Sequence, residues 1–533
     1  MGFRFFILSS IFFLLYGVLG VNLYQLQVEQ GDYYIKKVRA RTAYQEELSL
    51  RRGQIFFTDR YKNSIPVALN KDYPIIYAVP KGMNDPDTVA AAIAPIVEHN
   101  IERLRELFSD DSRLFVPLAE KAREEQIASI TELKLSGIYI NNKQHRFYPF
   151  KKLAAQVIGF VGINESFDEP TGLYGLEKLY NEDLTKGEDI YLTLDRTLQA
   201  ESEKMLRELV ERFDASGGSI IIQNPQTGAI LTMANHPVFD PNEYGAYPLN
   251  AFINPVVQYV YEAGSVFKPL TMSIGIDTGV LTPNTTYVDA GSVTLNGKTI
   301  TNWDSKAYGK VTMTRVIERS INTGAVFAVQ QINRKPFIRY LKKFGFGSRT
   351  DIALPDEVLG SLANLERKYA RDIDFATAAF GQGTAVTPLQ LITAYGVLAN
   401  GGVLMRPYLN EAEGSYVVRR VLDRESAEQV TQMMESAVEK AVVAAIPGYR
   451  IAGKTGTAQV PDFERGGYSD TYIHTFVGFA PVSNPQFIIL IKLDKPGASL
   501  AGQTVVPAFR NLAQFTLNYY GIHPDNLPEV SIE

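Results

Sequence analysis

Two pairs of strand-like segments stand far apart in this chain, and together they limit what it can fold into. The first is "SIIIQ", the turn "NPQTG" and "AILTMA", a hairpin pattern over residues 219–234. The second is "HTFVGFAP", a "VSNP" turn and "QFIILIKLD" at 474–494, followed by the helical stretch "VVPAFRNLAQFTLNYY". The sequence between them is rich in helical patterns. Strands at both ends with helices inserted imply an antiparallel sheet closed by chain-distant segments, within an α+β domain of about 340 residues. "KGEDIYLTLDRTLQAESEKMLRELVERF" marks its start, as a strand at 189–194, Asp195 as a helix cap and an amphipathic helix to Phe213. The expected domain is 191–533.

Upstream, residues 29–190 mix strand and helix signals without a cluster of chemistry. "DYPIIYAVP" (72–80) reads as a strand. Residues 85–108 read as helical with a kink at Pro95, and a second helical pattern stops at Gly137. From Phe5 to Val28 there is no charge, and Phe5 to Val21 is almost wholly apolar. Those first residues span about 26 Å as a helix, and the continuation passes the ~30 Å of a bilayer's hydrocarbon. Arg4 precedes the run while Glu29 and Asp32 follow it, so charge bias places residues 1–4 in the cytoplasm and the body outside. "VLG" at 18–20 makes a poor signal-peptide cleavage site, which favours a retained single-pass anchor at 5–28.

Composition removes several classes. The 533 residues carry a net charge of -5 with no long basic run, so there is no nucleic-acid footprint. Cysteine is absent, which excludes disulfides, thiolate metal sites and cysteine nucleophiles. The five histidines are scattered with no HExxH, so no metal is expected. No Gly-x-Ser-x-Gly occurs, which excludes an α/β-hydrolase.

"EAGSVFKPL" (262–270) sets Ser265 and Lys268 three apart. If Ser265 begins a helix, Pro269 sits where a missing N–H costs least, and Lys268 shares a face with the serine. A lysine acts as a base only when burial or a neighbouring cation lowers its pKa. Alone this spacing is weak evidence. "ERSINTG" then supplies Ser320 and Asn322, and "IAGKTGTAQV" supplies Lys454, Thr455, Gly456 and Thr457 in a strand-like context. The three groups in this order match the set found in penicillin-binding proteins and class A β-lactamases, with Ser-x-Asn in place of Ser-Asp-Asn.

The chain resembles the class B penicillin-binding proteins, bacterial cell-wall transpeptidases with one membrane anchor. The landmarks "RFYPFKKLAAQVIGFVG", "GLEKLYNEDL", "TLDRTLQ", "FGFGSRTDIALP", "AAFGQGTAVTPLQLITAYGVLANGG" and "FVGFAPVSNPQF" follow the family order. "RRGQIFFTDRYKNS" departs by lacking an Asn-Gly after it, and "LPDE" has Asp356 where a glycine is common. The resemblance implies an elongated pedestal or dimerisation-like module at 29–190 and a serine β-lactamase-like domain with a central antiparallel sheet flanked by helices. It implies that Ser265 attacks the D-Ala carbonyl of a peptidoglycan stem peptide while Lys268 takes its proton. Ser320 and Lys454 would relay a proton to the leaving D-Ala, and Asn322 would hold Lys268 and a substrate amide. The N–H groups of Ser265 and Thr457 would form the oxyanion hole, with Thr455 and Thr457 on the terminal carboxylate and Gly456 giving the substrate backbone room. No cofactor is implied. The partners implied are stem peptides, β-lactam antibiotics, the membrane, a separate membrane glycan polymerase and divisome proteins. The landmark details favour septal over side-wall synthesis. A β-lactam sensor, a β-lactamase and an inactive scaffold share parts of the pattern. The long N-terminal module, the single apolar run and the intact motifs argue against them.

Overall fold

The computed structural model describes residues 51–164, 169–462 and 464–526, with a few helical positions between 12 and 24. The expected cytoplasmic residues 1–4, most of the anchor at 5–28 and the start of the following module lie outside the described residues. Among the described residues no helix is long and apolar enough to cross a membrane.

The chain divides into two compact units. The smaller is built on residues 70–145, and the larger takes in 54–69, 146–184 and 189–533. The larger unit thus includes stretches that lie within 29–190. Its strands β1 (Ile55–Thr58) and β2 (Ile65–Ala78) pair through Ile55 and Ala68, and only the first residues of β2 belong to it.

In the smaller unit the remainder of β2 pairs with β3 (Val116–Ala119), and β4 (Ile138–Phe147) pairs with β2. Helices α1 (Pro86–Val97), α2 (Ile101–Phe108) and α3 (Glu124–Leu133) bury Val89, Ile93, Leu104, Phe108 and Ile130 against Ile76 and Leu118. The expected kink at Pro95 does not divide the helix there. Pro95 lies inside α1, and the chain leaves the helix at Glu98, which adopts φ +59°. Asn100 then caps α2 by accepting from the Glu102 and Arg103 N–H groups. A complete cap three residues beyond the helix end accompanies the break.

In the larger unit β5 (Ile190–Asp195) runs into α4 (Arg196–Phe213), and the Asp195 carboxylate accepts from Thr197 and Leu198 N–H. The main sheet uses β6 (Gly217–Gln223), β7 (Ile230–His236), β8 (Ala452–Pro461), β9 (Tyr468–Ala480) and β10 (Phe487–Asp494). Its order is β8–β9–β10–β6–β7, antiparallel throughout. The chain-distant pairs therefore meet at β10 and β6, with Ile489 opposite Ile222 and Ile491 opposite Ile220.

Both faces of this sheet are covered, which explains its unbroken apolar runs. Ile220, Ile222, Ile489 and Ile491 pack with Leu198, Leu206, Phe509 and Leu512 on one face. Ile221, Ile488 and Leu490 point the other way, into a core that holds Leu270, Leu391 and Val430. Those three come from α5 (Lys268–Asp277), α7 (Pro388–Ala399) and α8 (Arg424–Ala441), which lie with α6 (Asn322–Ile332) among the inserted helices. The terminal helix α9 (Val505–Tyr520) supplies Phe509 and Leu512. Asp356, in the family's glycine position, adopts φ +61°, the left-handed region where glycine is at home.

Candidate active site

Ser265 lies in a single 3₁₀ turn, Gly264–Phe267, and α5 begins at Lys268 with Pro269 in its first turn. The serine thus stands one turn ahead of the α-helix. Two contacts fix that turn. The buried Tyr395 hydroxyl on α7 donates to the Val266 carbonyl at 2.5 Å, and Gly264 N–H donates to the Gly381 carbonyl at 3.1 Å.

β8 is one of the two edge strands of the sheet, and it runs tight against the same turn. A Cβ on Gly456 would stand 2.9 Å from the Ala263 carbonyl oxygen and 3.1 Å from Val266 Cγ1. The missing side chain therefore gives room to the turn that carries Ser265. Gly264 answers from the other side. It takes φ +64°, and a Cβ there would meet Ala458 at 3.0 Å.

This packing delivers Lys454 from β8 and Lys268 from α5 to one serine. Lys268 Nζ donates to the Ser320 carbonyl (2.5 Å), to Ser320 Oγ (3.2 Å) and to Asn322 Oδ1 (2.8 Å). Lys454 Nζ reaches the same Ser320 Oγ at 3.1 Å and the Thr455 carbonyl at 3.0 Å. Ser320 ends a helix at φ +55°, a conformation that costs a non-glycine residue about 1 kcal/mol or more and that clusters at functional sites. None of the three Lys268 bonds goes to Ser265. Catalytic hydrogen bonds commonly tighten only when substrate arrives.

Both lysines are buried, and the consequence is electrostatic. Burial first, and then the charge of Lys454, hold the Lys268 amine well below the ordinary lysine range. Burial brings Lys454 down to about 7. Two amines sharing one hydroxyl cannot both stay charged cheaply in such a place. The arrangement favours a neutral amine within reach of a serine hydroxyl at neutral pH.

The other motif residues, and three residues outside the motifs, fall as follows. Asn322 is the first residue of α6, and its Nδ2 donates to the Thr301 carbonyl at 2.9 Å. Thr455 and Thr457 lie half-buried on β8, and Thr457 Oγ1 accepts from Ala501 N–H at 3.3 Å. His474, one of the scattered histidines, is buried against the Thr504 hydroxyl at 2.9 Å, and burial lowers its pKa to about 4. Thr387 caps α7, while Trp303 is exposed and donates to the Arg319 carbonyl at 3.2 Å. Among the described residues no cluster of His, Asp or Glu side chains suits a metal ion.

Sequence reasoning passed over Glu262. One carboxylate oxygen accepts from Gly383 N–H and the other from the Tyr468 hydroxyl, each at 2.9 Å. It ties the "FGQGT" loop and the start of β9 to the serine turn. The signal was available, since an acid inside an otherwise apolar stretch needs partners.

The description "Penicillin binding protein transpeptidase domain" matches residues 218–514, more than half of the chain. The chain belongs to the penicillin-binding protein transpeptidases, in the class B branch. A "Penicillin-binding Protein dimerisation domain" matches residues 49–212. Among relatives, Stage V sporulation protein D of Bacillus subtilis is 29% identical, covering 89% of this chain and 79% of its own. Peptidoglycan D,D-transpeptidase FtsI of Escherichia coli K12 is also 29% identical, covering 94% and 89%. The crystal structure of penicillin binding protein 2X from Streptococcus thermophilus superposes with a TM-score of 0.72 at 20% identity, over 89% of this chain and 80% of that one. That likeness shows the fold.

Proposed function

We propose that this penicillin-binding protein is a peptidoglycan D,D-transpeptidase of septal wall synthesis. The observation that carries the reading is the Ser320 hydroxyl shared by two buried lysines beside the Ser265 turn. The relatives named FtsI support the cell-division branch.

Ser265 Oγ attacks the penultimate D-Ala carbonyl as neutral Lys268 takes its proton. The N–H groups of Ser265 and Thr457 receive the oxyanion. Collapse breaks the C–N bond, and the leaving D-Ala amine takes a proton relayed through Ser320 and Lys454. Asn322 holds Lys268 and a substrate amide, while Thr455 and Thr457 receive the terminal carboxylate. An acceptor amine from a second stem peptide then displaces Ser265 and forms the cross-link. A β-lactam enters by the same attack, and its opened ring stays on the serine.

The uncharged run at 5–28 anchors the protein in the cytoplasmic membrane with residues 1–4 inside and the catalytic body outside. Residues 29–190 act as the pedestal and 191–533 as the transpeptidase domain. The matched dimerisation and transpeptidase stretches support that division. The motifs account for peptide chemistry alone, so glycan strands come from a separate membrane polymerase within the division machinery.

Labelling with a fluorescent penicillin, followed by peptide mapping, tests the reading. The adduct is expected on Ser265 and absent from Ser265→Ala. An adduct on another serine, or label persisting in the variant, removes the nucleophile.

A further inference from the structure

Helix α6 begins without a cap of its own. Its N-cap residue is Ile321, whose side chain has no acceptor, so the first N–H groups need a partner from elsewhere. Asn302 supplies it. Its Oδ1 accepts from Asn322 N–H at 3.1 Å and from Thr323 N–H at 3.3 Å.

The amide is held so that only this orientation works. Asn302 Nδ2 donates to Asp289 Oδ2 and to the Lys306 carbonyl, both at 2.9 Å, so both of its hydrogens are used. The buried Asp289 carboxylate also accepts from Gly291 N–H (3.0 Å), Tyr308 N–H (2.9 Å) and the Thr323 hydroxyl (2.6 Å). Four donors on two oxygens leave neither group free to turn. At the other end of the chain of bonds stands Asn322. Its oxygen holds Lys268 at 2.8 Å, and its nitrogen bonds the carbonyl of Thr301, the neighbour of Asn302.

We propose that Asn302 and Asp289 are positioning residues for the lysine base. They set where α6 begins, and so the point at which Asn322 holds Lys268. The proposal rests on the transpeptidase reading and names residues outside its three motifs. Misplacing a catalytic group by about 1 Å costs on the order of a hundredfold in rate. An amide oxygen on an amine also favours its charged form, so weakening that bond lowers the amine's pKa.

The test uses Asn302→Ala and Asp289→Asn, with Asn400→Ala as a control. Asn400 bonds the Pro225 and Val403 carbonyls after α7 and touches none of the groups above. Acylation by fluorescent penicillin is followed from about pH 5 to 10, counted per active molecule, beside the thermal midpoint. Both variants are expected to lose about ten- to a hundredfold at the plateau, with the acidic limb moved to lower pH. The control is expected to lose thermal stability while keeping the wild-type rate and limb. Wild-type rate and limb in Asn302→Ala and Asp289→Asn would overturn the proposal, as would a control whose rate falls in step with theirs. If Asn302→Ala does not fold, Asp289→Asn, which keeps the side chain's volume, decides on the same terms. Failure of the transpeptidase reading looks different, because the wild type would then take no label on Ser265.

Discussion

Among the described residues three lysines are buried, and they sit in two contrasting regions of the larger unit. At the end of β10, Lys492 pairs with Asp494 two residues on, along the same side of the strand, and lies 5.1 Å from the Tyr261 ring centroid. This is the ordinary way to bury a cation, with an acid and an aromatic face beside it. Around Ser320, Lys268 and Lys454 meet two carbonyls, two hydroxyls and an amide, and no carboxylate among the described residues pairs with them. An acid there would hold both amines charged and end their use as bases. On the proposed reading the contrast separates a cation kept for structure from amines kept neutral for chemistry, and each of its sides can be broken.

The largest effect is expected at Lys268. Lys268→Arg keeps a cation of similar reach but cannot release its proton near neutrality. Acylation by penicillin should fall by on the order of a thousandfold or more, a typical loss when an essential base is removed. In the wild type the rate should drop on the acidic side with an apparent pKa well below the ~10.4 of free lysine, because burial and Lys454 depress it. An Arg variant that acylates at the wild-type rate would take Lys268 out of the mechanism.

Lys454 should show a smaller kinetic loss and a gain in stability. Its folded value of about 7 lies below the ~10.4 of the unfolded chain, so between those values the unfolded state binds more protons. Wild-type stability should therefore rise as pH climbs from about 7 towards 10. Lys454→Met removes the buried amine and should flatten that rise. It should add on the order of 1–3 kcal/mol near neutral pH while slowing acylation about a hundredfold. Chemical denaturation at several pH values measures the first effect. A Met variant less stable than wild type at neutral pH would mean that the site holds Lys454 as comfortably as the sheet holds Lys492.

One side of this contrast, the motif residues, was legible in the sequence, while Lys492 and Asp494 carried no signal there. Short apolar strands, the Asp195 cap and the spacing within each motif, Ser265 to Lys268, Ser320 to Asn322 and Lys454 to Thr457, are local signals, carried by residues near one another in the chain. What escaped was tertiary. Tyr395 holds Val266 from 129 residues away, and Asn302 caps a helix that begins twenty residues later. A cap borrowed from another segment leaves no pattern at the helix it serves. The break at Glu98, three residues past the expected kink at Pro95, shows the same limit on a smaller scale, since the cap that accompanies it belongs to the next helix. Gly456 was legible as a glycine that something must approach. The structure shows the turn that carries Ser265 at that place.

The smallest kinetic effect belongs to the structural side of the comparison. Asp494→Asn keeps the shape of the β10 pair but leaves Lys492, whose side chain is 7% exposed, without its acid. A buried charge that loses its partner destabilises by several kcal/mol. Asp494 is a quarter exposed, so water offsets part of that and the expected loss is about 1–3 kcal/mol. The Tyr261 ring gives only partial compensation, because a cation over a dry ring is worth about 2 kcal/mol. Acylation of the folded fraction should stay within about threefold of wild type, since the variant leaves the three motifs intact. The two readouts must be taken on one preparation, with the thermal midpoint beside the penicillin rate. If the rate falls with the midpoint unchanged, Lys492 and Asp494 belong to the site's electrostatics, and the division between a structural and a chemical lysine fails at that point.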